Sequence, residues 1–186
     1  MKKILSILLT SLVFFGSSNA KAEEGNDANK KVLVACFSAT GTTAAVAEKL
    51  AKVTGGELFM IVPEKLYTAA DLNWKDKESR SSVEMSDRNS RPAIASKVEN
   101  IDKYDVIFVG FPIWWYREPS IIDTFMEAHD FNGKTVVPFA TSGSSGIGDS
   151  GKNMQTLAPE AKVLEGKRFP ADVSEEDLKK WVKEQL

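Results

Sequence analysis

The heptapeptide FSATGTT, residues 37–43, concentrates groups that can bind an anion without a basic side chain. It carries four hydroxyl side chains and one glycine, and it contains no lysine or arginine. It lies between the apolar run 31–37 and an alanine-rich amphipathic stretch, where a helix would present free backbone N–H groups. Capping of that helix would use one hydroxyl rather than four. The heptapeptide therefore predicts a phosphate site formed by Ser38, Ala39, Thr40, Gly41, Thr42 and Thr43.

The motifs of three other phosphate chemistries are missing from this stretch. A nucleoside-triphosphate loop needs the lysine of G-x-x-x-x-G-K-[ST], and a dinucleotide site needs G-x-G-x-x-G. A cysteine phosphatase would pair Cys36 with an arginine just beyond the loop, but the residue six positions later is Thr42. Cys36 also lies within a predicted strand, where a buried and inert thiol is typical. A monophosphate is the ligand that remains.

A second loop, residues 112–118, contains three consecutive aromatic residues between an apolar strand and a helix. Large flat side chains at the end of a buried strand are good stacking partners for a flat ring. The alternative is structural: one tryptophan fills the core while the other covers a neighbouring helix. The loop contributes the candidate ligand contacts Pro112, Ile113, Trp114, Trp115 and Tyr116.

A third loop, from residue 141 to 150, is rich in glycine and serine. Such a loop can bring backbone amides and hydroxyls close to the polar edge of a ring, because glycine has no side chain. On composition alone it could equally be a flexible connection. Its position after the fourth predicted strand favours a binding role, with the candidates Thr141, Ser142, Gly143, Ser144 and Gly146.

The elements that position these loops alternate between strand and helix. Valine-rich apolar runs predict buried strands at 31–37, 57–62, 104–111, 134–140 and 161–164, although Pro138 is unusual within a strand. Apolar periodicity and capping signals predict helices at 42–53, 92–101, from Pro119, near 152–157, and from Ser174. Residues 64–91 form a polar excursion. The alternation predicts an α/β three-layer sandwich, in which loops one, two and three share one edge of the sheet.

The N-terminus has the pattern of a secretory signal peptide. Two lysines precede a short apolar run, and small residues follow at a candidate cleavage site. We therefore predict a signal peptide at 1–22, a flexible leader at 23–30 and a single domain at 31–186, exported to the periplasm or beyond the cell. An uncleaved membrane anchor is the alternative, and the run is short for it.

Composition narrows the classes of partner. The formal charge of −2 argues against nucleic acid and membrane surfaces, so we expect membrane contact only through the signal sequence. With a single cysteine, no disulfide can form within the chain, and with His129 as the one histidine we expect no metal site.

Three segments together carry a resemblance to a known family. FSATGTT, GFPIWWY and FNGKTVVPFATSGSSG resemble the corresponding loops of bacterial flavodoxins with a tryptophan-rich second loop, and the resemblance extends over residues 31–186. It implies a doubly wound five-stranded parallel sheet of order 2-1-3-4-5 with FMN as the cofactor. By this analogy residues 38–43 hold the phosphate, Trp114, Trp115 or Tyr116 stacks on the isoalloxazine, and residues 141–146 line the ring edge.

The resemblance leaves three kinds of function open. The protein transfers electrons between larger redox partners, or it is an FMN-dependent NAD(P)H oxidoreductase that reduces a quinone or a similar small acceptor, or it is a flavin-binding module without redox activity. The lack of a nicotinamide fingerprint and of an acid–base pair favours the carrier. Residues 64–91, with Tyr67, Trp74, Arg80 and Arg88, either cover the flavin and shape a substrate pocket or form a solvated insertion.

Overall fold

The computed structural model describes residues 30–186, in which strands and helices alternate along the chain. The predicted signal peptide and all but the last residue of the predicted leader lie outside the described residues. The strands are β1 (Val32–Cys36), β2 (Glu57–Met60), β3 (Val106–Pro112), β4 (Thr135–Thr141), β5 (Lys162–Val163) and β6 (Lys167–Phe169). The helices are α1 (Thr42–Thr54), α2 (Arg80–Ser86), α3 (Ser120–Glu127), α4 (Ser150–Leu157) and α5 (Glu175–Gln185), with a 3₁₀ turn at Ile101–Lys103. Within this part of the chain, no helix is long and apolar enough to cross a bilayer.

The sheet is parallel and has the predicted strand order, β2-β1-β3-β4-β5. In the centre, Val34 of β1 lies opposite Leu58 of β2 on one side and Phe108 of β3 on the other. Strands β3 and β4 pair along their whole length, ending with Pro112 opposite Thr141. The carboxyl ends of β1, β3 and β4 are therefore adjacent, and the three predicted loops leave the sheet at the same edge.

Helices cover both faces of the sheet, because the central strands are apolar on both sides. On one face Val34 and Phe108 pack with Leu50 of α1 and Trp181 of α5. On the other face the core includes Ile107 of β3 together with residues of α3 and α4. All five residues of β1 are buried, as a continuous apolar run predicts for a central parallel strand. The three-layer α/β sandwich is confirmed.

Pro138 lies within β4, and it explains why the edge strand beside β4 is split. The carbonyl of Val136 accepts the N–H of Leu164, so alternate residues of β4, including Pro138, direct their polar backbone groups toward this edge. Proline has no N–H to donate. The pairing of β4 with β5 stops at Val163 and resumes with β6 at Lys167. Sequence analysis did not predict β6.

The predicted helix at 92–101 is wrong. This segment is irregular: Ile94 forms an antiparallel bridge with Pro63, and only the 3₁₀ turn at Ile101–Lys103 is helical. The N–H of Val98 donates to Nε2 of His129 at 2.9 Å, and Nδ1 of the same ring lies 2.9 Å from the carbonyl of Phe125. The apolar spacing that resembled a helix serves contacts with the body of the fold instead.

Candidate ligand-binding site

The first loop turns sharply into α1 through Gly41. Gly41 has φ +87°, a left-handed conformation that glycine adopts without strain, and its carbonyl accepts the N–H of Ala45 at 3.0 Å. No side chain caps the N-terminus of α1. The hydroxyls of the loop are therefore not used for capping, which was the structural alternative for this sequence, and the first N–H groups of α1 are available to a ligand.

The four hydroxyls of the first loop have three different environments. Thr43 is buried, and its Oγ1 lies 2.8 Å from Oγ1 of Thr141, so this pair joins the first loop to the third. Thr40 and Thr42 are exposed, with their Oγ1 atoms 3.5 Å apart. The Oγ atom of Ser38 is buried and has no hydrogen-bond partner within residues 30–186. A buried hydroxyl without a partner is costly, so Ser38 marks a position that a polar ligand would satisfy.

The second loop is a tight hairpin with unusual backbone angles. Trp114 and Arg117 exchange two backbone hydrogen bonds of 3.0 and 3.1 Å, while Trp115 and Tyr116 between them have φ values of +44° and +66°. Two central residues with positive φ define a type I′ turn, which normally contains asparagine or glycine. Each non-glycine residue in this conformation costs about 1–2 kcal/mol. We therefore call residues 114–117 the strained hairpin.

The three aromatic side chains of this loop have different environments. Trp114 is half-buried and packs edge-on against Phe37 and Tyr67, with ring centroids 5.6 and 5.3 Å away. Trp115 is 43% exposed and Tyr116 is 78% exposed. The structure therefore assigns Trp114 mainly to packing, and it leaves Trp115 and Tyr116 as the aromatic surfaces open to a ligand.

A group of ionic side chains lies at the base of the second loop, and we call it the ion cluster. Its members are Arg88, Arg91, Arg117, Glu118, Asp123 and Glu127. Glu118 is fully buried; it accepts hydrogen bonds from Asn153 at 3.0 and 3.2 Å, and Arg88 and Arg117 lie 3.5 and 3.7 Å away. Because Arg117, the last residue of the hairpin, and Glu118, the residue after it, both belong to the cluster, the cluster anchors the C-terminal side of the strained hairpin.

Burial sets the protonation behaviour of this cluster. It raises the pKa of Asp123 to about 6, with the nearby charge of Glu118 acting in the same direction. Burial also lowers the pKa of Arg117. Cys36, on the neighbouring strand, has its pKa raised by burial, so its thiol is not activated as a nucleophile.

The third loop is fixed by its own polar contacts and by Arg168. The Ser142 hydroxyl donates to the carbonyl of Ser145, and Arg168 of β6 donates to Ser142 Oγ at 3.3 Å and to the Gly143 carbonyl at 3.0 Å. Ser144 and Gly146 are exposed. Gly148, which sequence analysis did not select, faces the second loop so closely that a Cβ atom there would lie 2.5 Å from the Tyr116 carbonyl oxygen.

Residues 64–91, which we call the capping segment, are folded against the second loop. Tyr67 packs against Phe37 and Trp114, and its hydroxyl donates to Glu84. Arg80 pairs with Glu84 at 2.6 Å and lies over the Tyr67 ring at 4.0 Å. Burial and the Glu84 contact raise the pKa of Tyr67. The capping segment is thus attached to the site, and it is not a loose insertion.

The loops and the capping segment enclose a cavity of about 480 Å³. This volume lies within the range of small-molecule sites, about 300–1,000 Å³. Most of its wall is apolar or aromatic, and the lining residues are Ala39, Thr40, Leu72, Trp74, Ser81, Pro112, Ile113, Trp114, Trp115, Tyr116 and Ser145. Seven of the predicted contacts from the first two loops are therefore brought together. From the third loop the wall contains Ser145, which lies within the predicted range 141–146, and from the capping segment it contains Leu72, Trp74 and Ser81.

Comparison with known proteins agrees with this architecture. A candidate flavoprotein of Bacteroides eggerthii is 52% identical, with 84% of this chain and 98% of that chain covered and a TM-score of 0.80. A second, from Bacteroides uniformis, is 53% identical, with 83% and 99% covered and a TM-score of 0.79. A flavoprotein from Lactobacillus acidophilus, solved in complex with FMN, shares the fold at 22% identity, with 83% and 99% covered and a TM-score of 0.62.

No curated protein sequence matches the chain. A family model described as flavodoxin matches residues 31–185, nearly the whole of the described domain. The strand order and the relatives from Bacteroides agree with this match. The chain therefore belongs to the flavodoxin family.

Proposed function

We propose that this protein is an exported redox protein that binds FMN and transfers electrons through it. The observation that carries the proposal is the first loop, where exposed hydroxyls and a buried, unpartnered Ser38 hydroxyl stand at a free helix N-terminus beside the aromatic cavity. This donor set fits a phosphate monoester, and the cavity fits a flat ring. The family and the FMN-bound relative support the same cofactor.

In this proposal each loop has a separate task. Ser38, Thr40, Thr42 and the first N–H groups of α1 bind the phosphate, while Thr43 holds the first loop to Thr141. Trp115 and Tyr116 face the ring, and the apolar wall excludes water from it. FMN, when bound, supplies reversible electron transfer at its ring, and the protein supplies binding, orientation and electrostatics.

The test is a titration of cofactor-free protein beginning at residue 23. We expect added FMN to bind with quenched flavin fluorescence and a visible spectrum that differs from that of free flavin. Riboflavin, which lacks the phosphate, should bind more weakly. If the purified protein is colourless and does not bind added FMN, the proposal is contradicted. That result favours a binding module that has lost the flavin. Cell fractionation of the full chain, with and without residues 1–22, tests export.

A second candidate function is favoured by the capping segment. Because this segment forms one wall of the cavity, a small acceptor such as a quinone would enter more readily than the edge of a large protein partner. The function would then be that of an FMN-dependent NAD(P)H oxidoreductase. Steady turnover of NAD(P)H with a soluble quinone by the purified protein supports it, and reduction that requires a second electron-transfer protein supports the carrier.

A further inference from the structure

Ser81, in α2 of the capping segment, has an unsatisfied hydroxyl in the wall of the cavity. The residue is 2% exposed, and its Oγ atom has no hydrogen-bond partner among the described residues. Buried polar side chains almost always have partners, so an unpaired one in the wall of a cavity indicates where a ligand completes the structure.

The other serines of α2 and its N-cap all have hydrogen-bonded hydroxyls, so Ser81 differs from its neighbours on this helix. Ser79 Oγ accepts the N–H of Ser82, Ser82 Oγ donates to the carbonyl of Asp76 at 2.6 Å, and Ser86 Oγ donates to the carbonyl of Val83 at 2.8 Å. The Ser81 backbone N–H is also satisfied, by the carbonyl of Asp71 at 3.0 Å. The side chain alone is left without a bond.

The position of Ser81 is fixed relative to the strained hairpin. Ser120 Oγ donates to the carbonyl of Glu84 at 3.1 Å, and Arg117 donates to the carbonyl of Met85 at 3.5 Å. Arg117 closes the hairpin, and Ser120 begins α3 directly after the second loop. The same residues therefore place both the aromatic surfaces and the Ser81 side chain on the cavity.

We propose that the Ser81 hydroxyl is a hydrogen-bond donor to the polar edge of the flat heterocycle that occupies this cavity, which makes the capping segment part of the cofactor site. The proposal rests on the proposed function, in which that heterocycle is the isoalloxazine of FMN. A ring carbonyl or ring nitrogen supplies the acceptor that the protein lacks. Leu72 and Trp74 line the same cavity and give the wall around Ser81 an apolar surface.

The test compares Ser81→Ala with the matched control Ser86→Ala, whose exposed hydroxyl lies on the same helix. Cofactor-free forms of both variants are titrated with FMN and with riboflavin by fluorescence quenching. A single hydrogen bond to the ring predicts that Ser81→Ala binds both ligands roughly three- to tenfold more weakly, and equally so, because the ring is common to both. The control should bind like the wild type.

Two further measurements separate this role from a structural one. Removing an unpaired buried hydroxyl should leave the thermal midpoint of the cofactor-free protein unchanged or higher, whereas loss of a structural bond would lower it. The visible absorption band of bound FMN should also shift in Ser81→Ala, since the hydrogen bond is to the chromophore.

Equal affinities of Ser81→Ala and wild type for both flavins overturn the proposal. A loss confined to FMN overturns it as well, because the hydroxyl would then contact the phosphate. If the wild type binds neither flavin, the proposed function fails. If the wild type binds both flavins and Ser81→Ala binds them equally well, only the role of Ser81 fails.

Discussion

The first loop and the base of the second loop lie at the ends of neighbouring strands, β1 and β3, yet they differ sharply in charge. Residues 37–43 contain no charged side chain. The ion cluster under the second loop contains three arginines, each within 4 Å of a carboxylate. The loop that we expect to hold a dianion is thus neutral, while the nearby cations are neutralised by Glu118, Asp123 and Glu127.

This difference in charge assigns two tasks to separate residues. The neutral first loop would bind the phosphate, and the ion cluster fixes the second loop, although basic residues could have done both. Arginines that are already paired with carboxylates are poor ligands for a phosphate, because binding would require breaking existing pairs. Their role is to fix the strained hairpin. Hydroxyls and N–H groups at the start of a helix bind a phosphate with geometric precision and without a charge that would also attract other anions. The following predictions test this division of roles, beginning with the largest effect.

Replacement of both exposed threonines, Thr40→Val with Thr42→Val, should remove two hydrogen bonds to the phosphate. Bonds to a charged group contribute about 1.5–3 kcal/mol each, so FMN binding should weaken by roughly 10²- to 10⁴-fold. Riboflavin binding should be unchanged, as titration of the cofactor-free protein will measure. Thr156→Val, at an exposed threonine of α4, is the matched control. Equal losses for the two flavins would show that these hydroxyls do not contact the phosphate.

Glu118→Gln should remove the central negative charge of the ion cluster while keeping a side chain of nearly the same size. Arg88 and Arg117 would lose their shared carboxylate, and removal of one member of a buried pair costs about 3 kcal/mol or more. The free energy of unfolding, from urea denaturation, should fall by about this amount. In protein that remains folded, FMN and riboflavin should be weakened alike, since the hairpin is affected and the first loop is not. A loss specific to FMN would place the phosphate at the cluster.

Asp123→Asn should raise the free energy of unfolding at neutral pH, whereas Glu118→Gln should lower it. The pKa of Asp123 is raised to about 6 in the folded protein, so ionisation is harder there than in the unfolded chain. The contribution of Asp123 to stability is therefore greatest below pH 4 and falls as the pH rises toward 6. The asparagine variant lacks this fall, and near pH 7 it should be as stable as the wild type or more stable, by up to about 3 kcal/mol.

Urea denaturation of both proteins at pH 4, 5, 6 and 7 measures the Asp123 effect. Arg91 and Arg117, each 3.7 Å from the carboxylate, face it together with Glu118 and Arg88. The quantity to compare is the difference in the free energy of unfolding between Asp123→Asn and the wild type at each pH. If the variant loses stability relative to the wild type as the pH rises from 4 to 7, the ion pairs of Asp123 outweigh the cost of its burial.

Trp115→Ala should have the smallest of these effects. The side chain is 43% exposed, so its loss should leave stability nearly unchanged. Loss of one stacking surface should weaken FMN and riboflavin equally, by about tenfold or less. Trp114→Ala should show the reverse pattern and lower the free energy of unfolding, because Trp114 packs between Phe37 and Tyr67. If both variants affect only stability, the aromatic loop is structural.

The central strands and their loops could be predicted because their sequences admit few alternatives. β1 and β3 are continuous apolar runs, and Gly55 ends α1 with the expected left-handed conformation. The helix predicted at 92–101 failed because Ile94 and Val98 have helical spacing but make contacts with Pro63 and His129, and tertiary contacts outweighed the local pattern. β6 was missed because KRF offers one buried residue.

The site was predictable at its loops and hidden where it depends on contacts between distant segments. Thr43 was predicted to contact the ligand because it is one of the hydroxyl residues of the first loop. Only the fold shows that its hydroxyl bonds to Thr141. Ser81 lies in a polar stretch with several other serines, and nothing in its neighbours distinguishes it. What makes it a candidate is the absence of a hydrogen bond within the described chain, which becomes visible only in three dimensions.

The gap opposite Pro138 has a consequence for how this protein meets other copies of itself. An exposed edge strand offers unpaired backbone groups on which a second sheet can grow, the first step toward fibrils. Here that edge is divided into pieces of two and three residues, with Lys162, Lys167 and Arg168 along them. Two molecules that approached along this side would meet only short ladders of backbone groups flanked by positive charges, so we expect the break opposite Pro138 to disfavour pairing of their sheets.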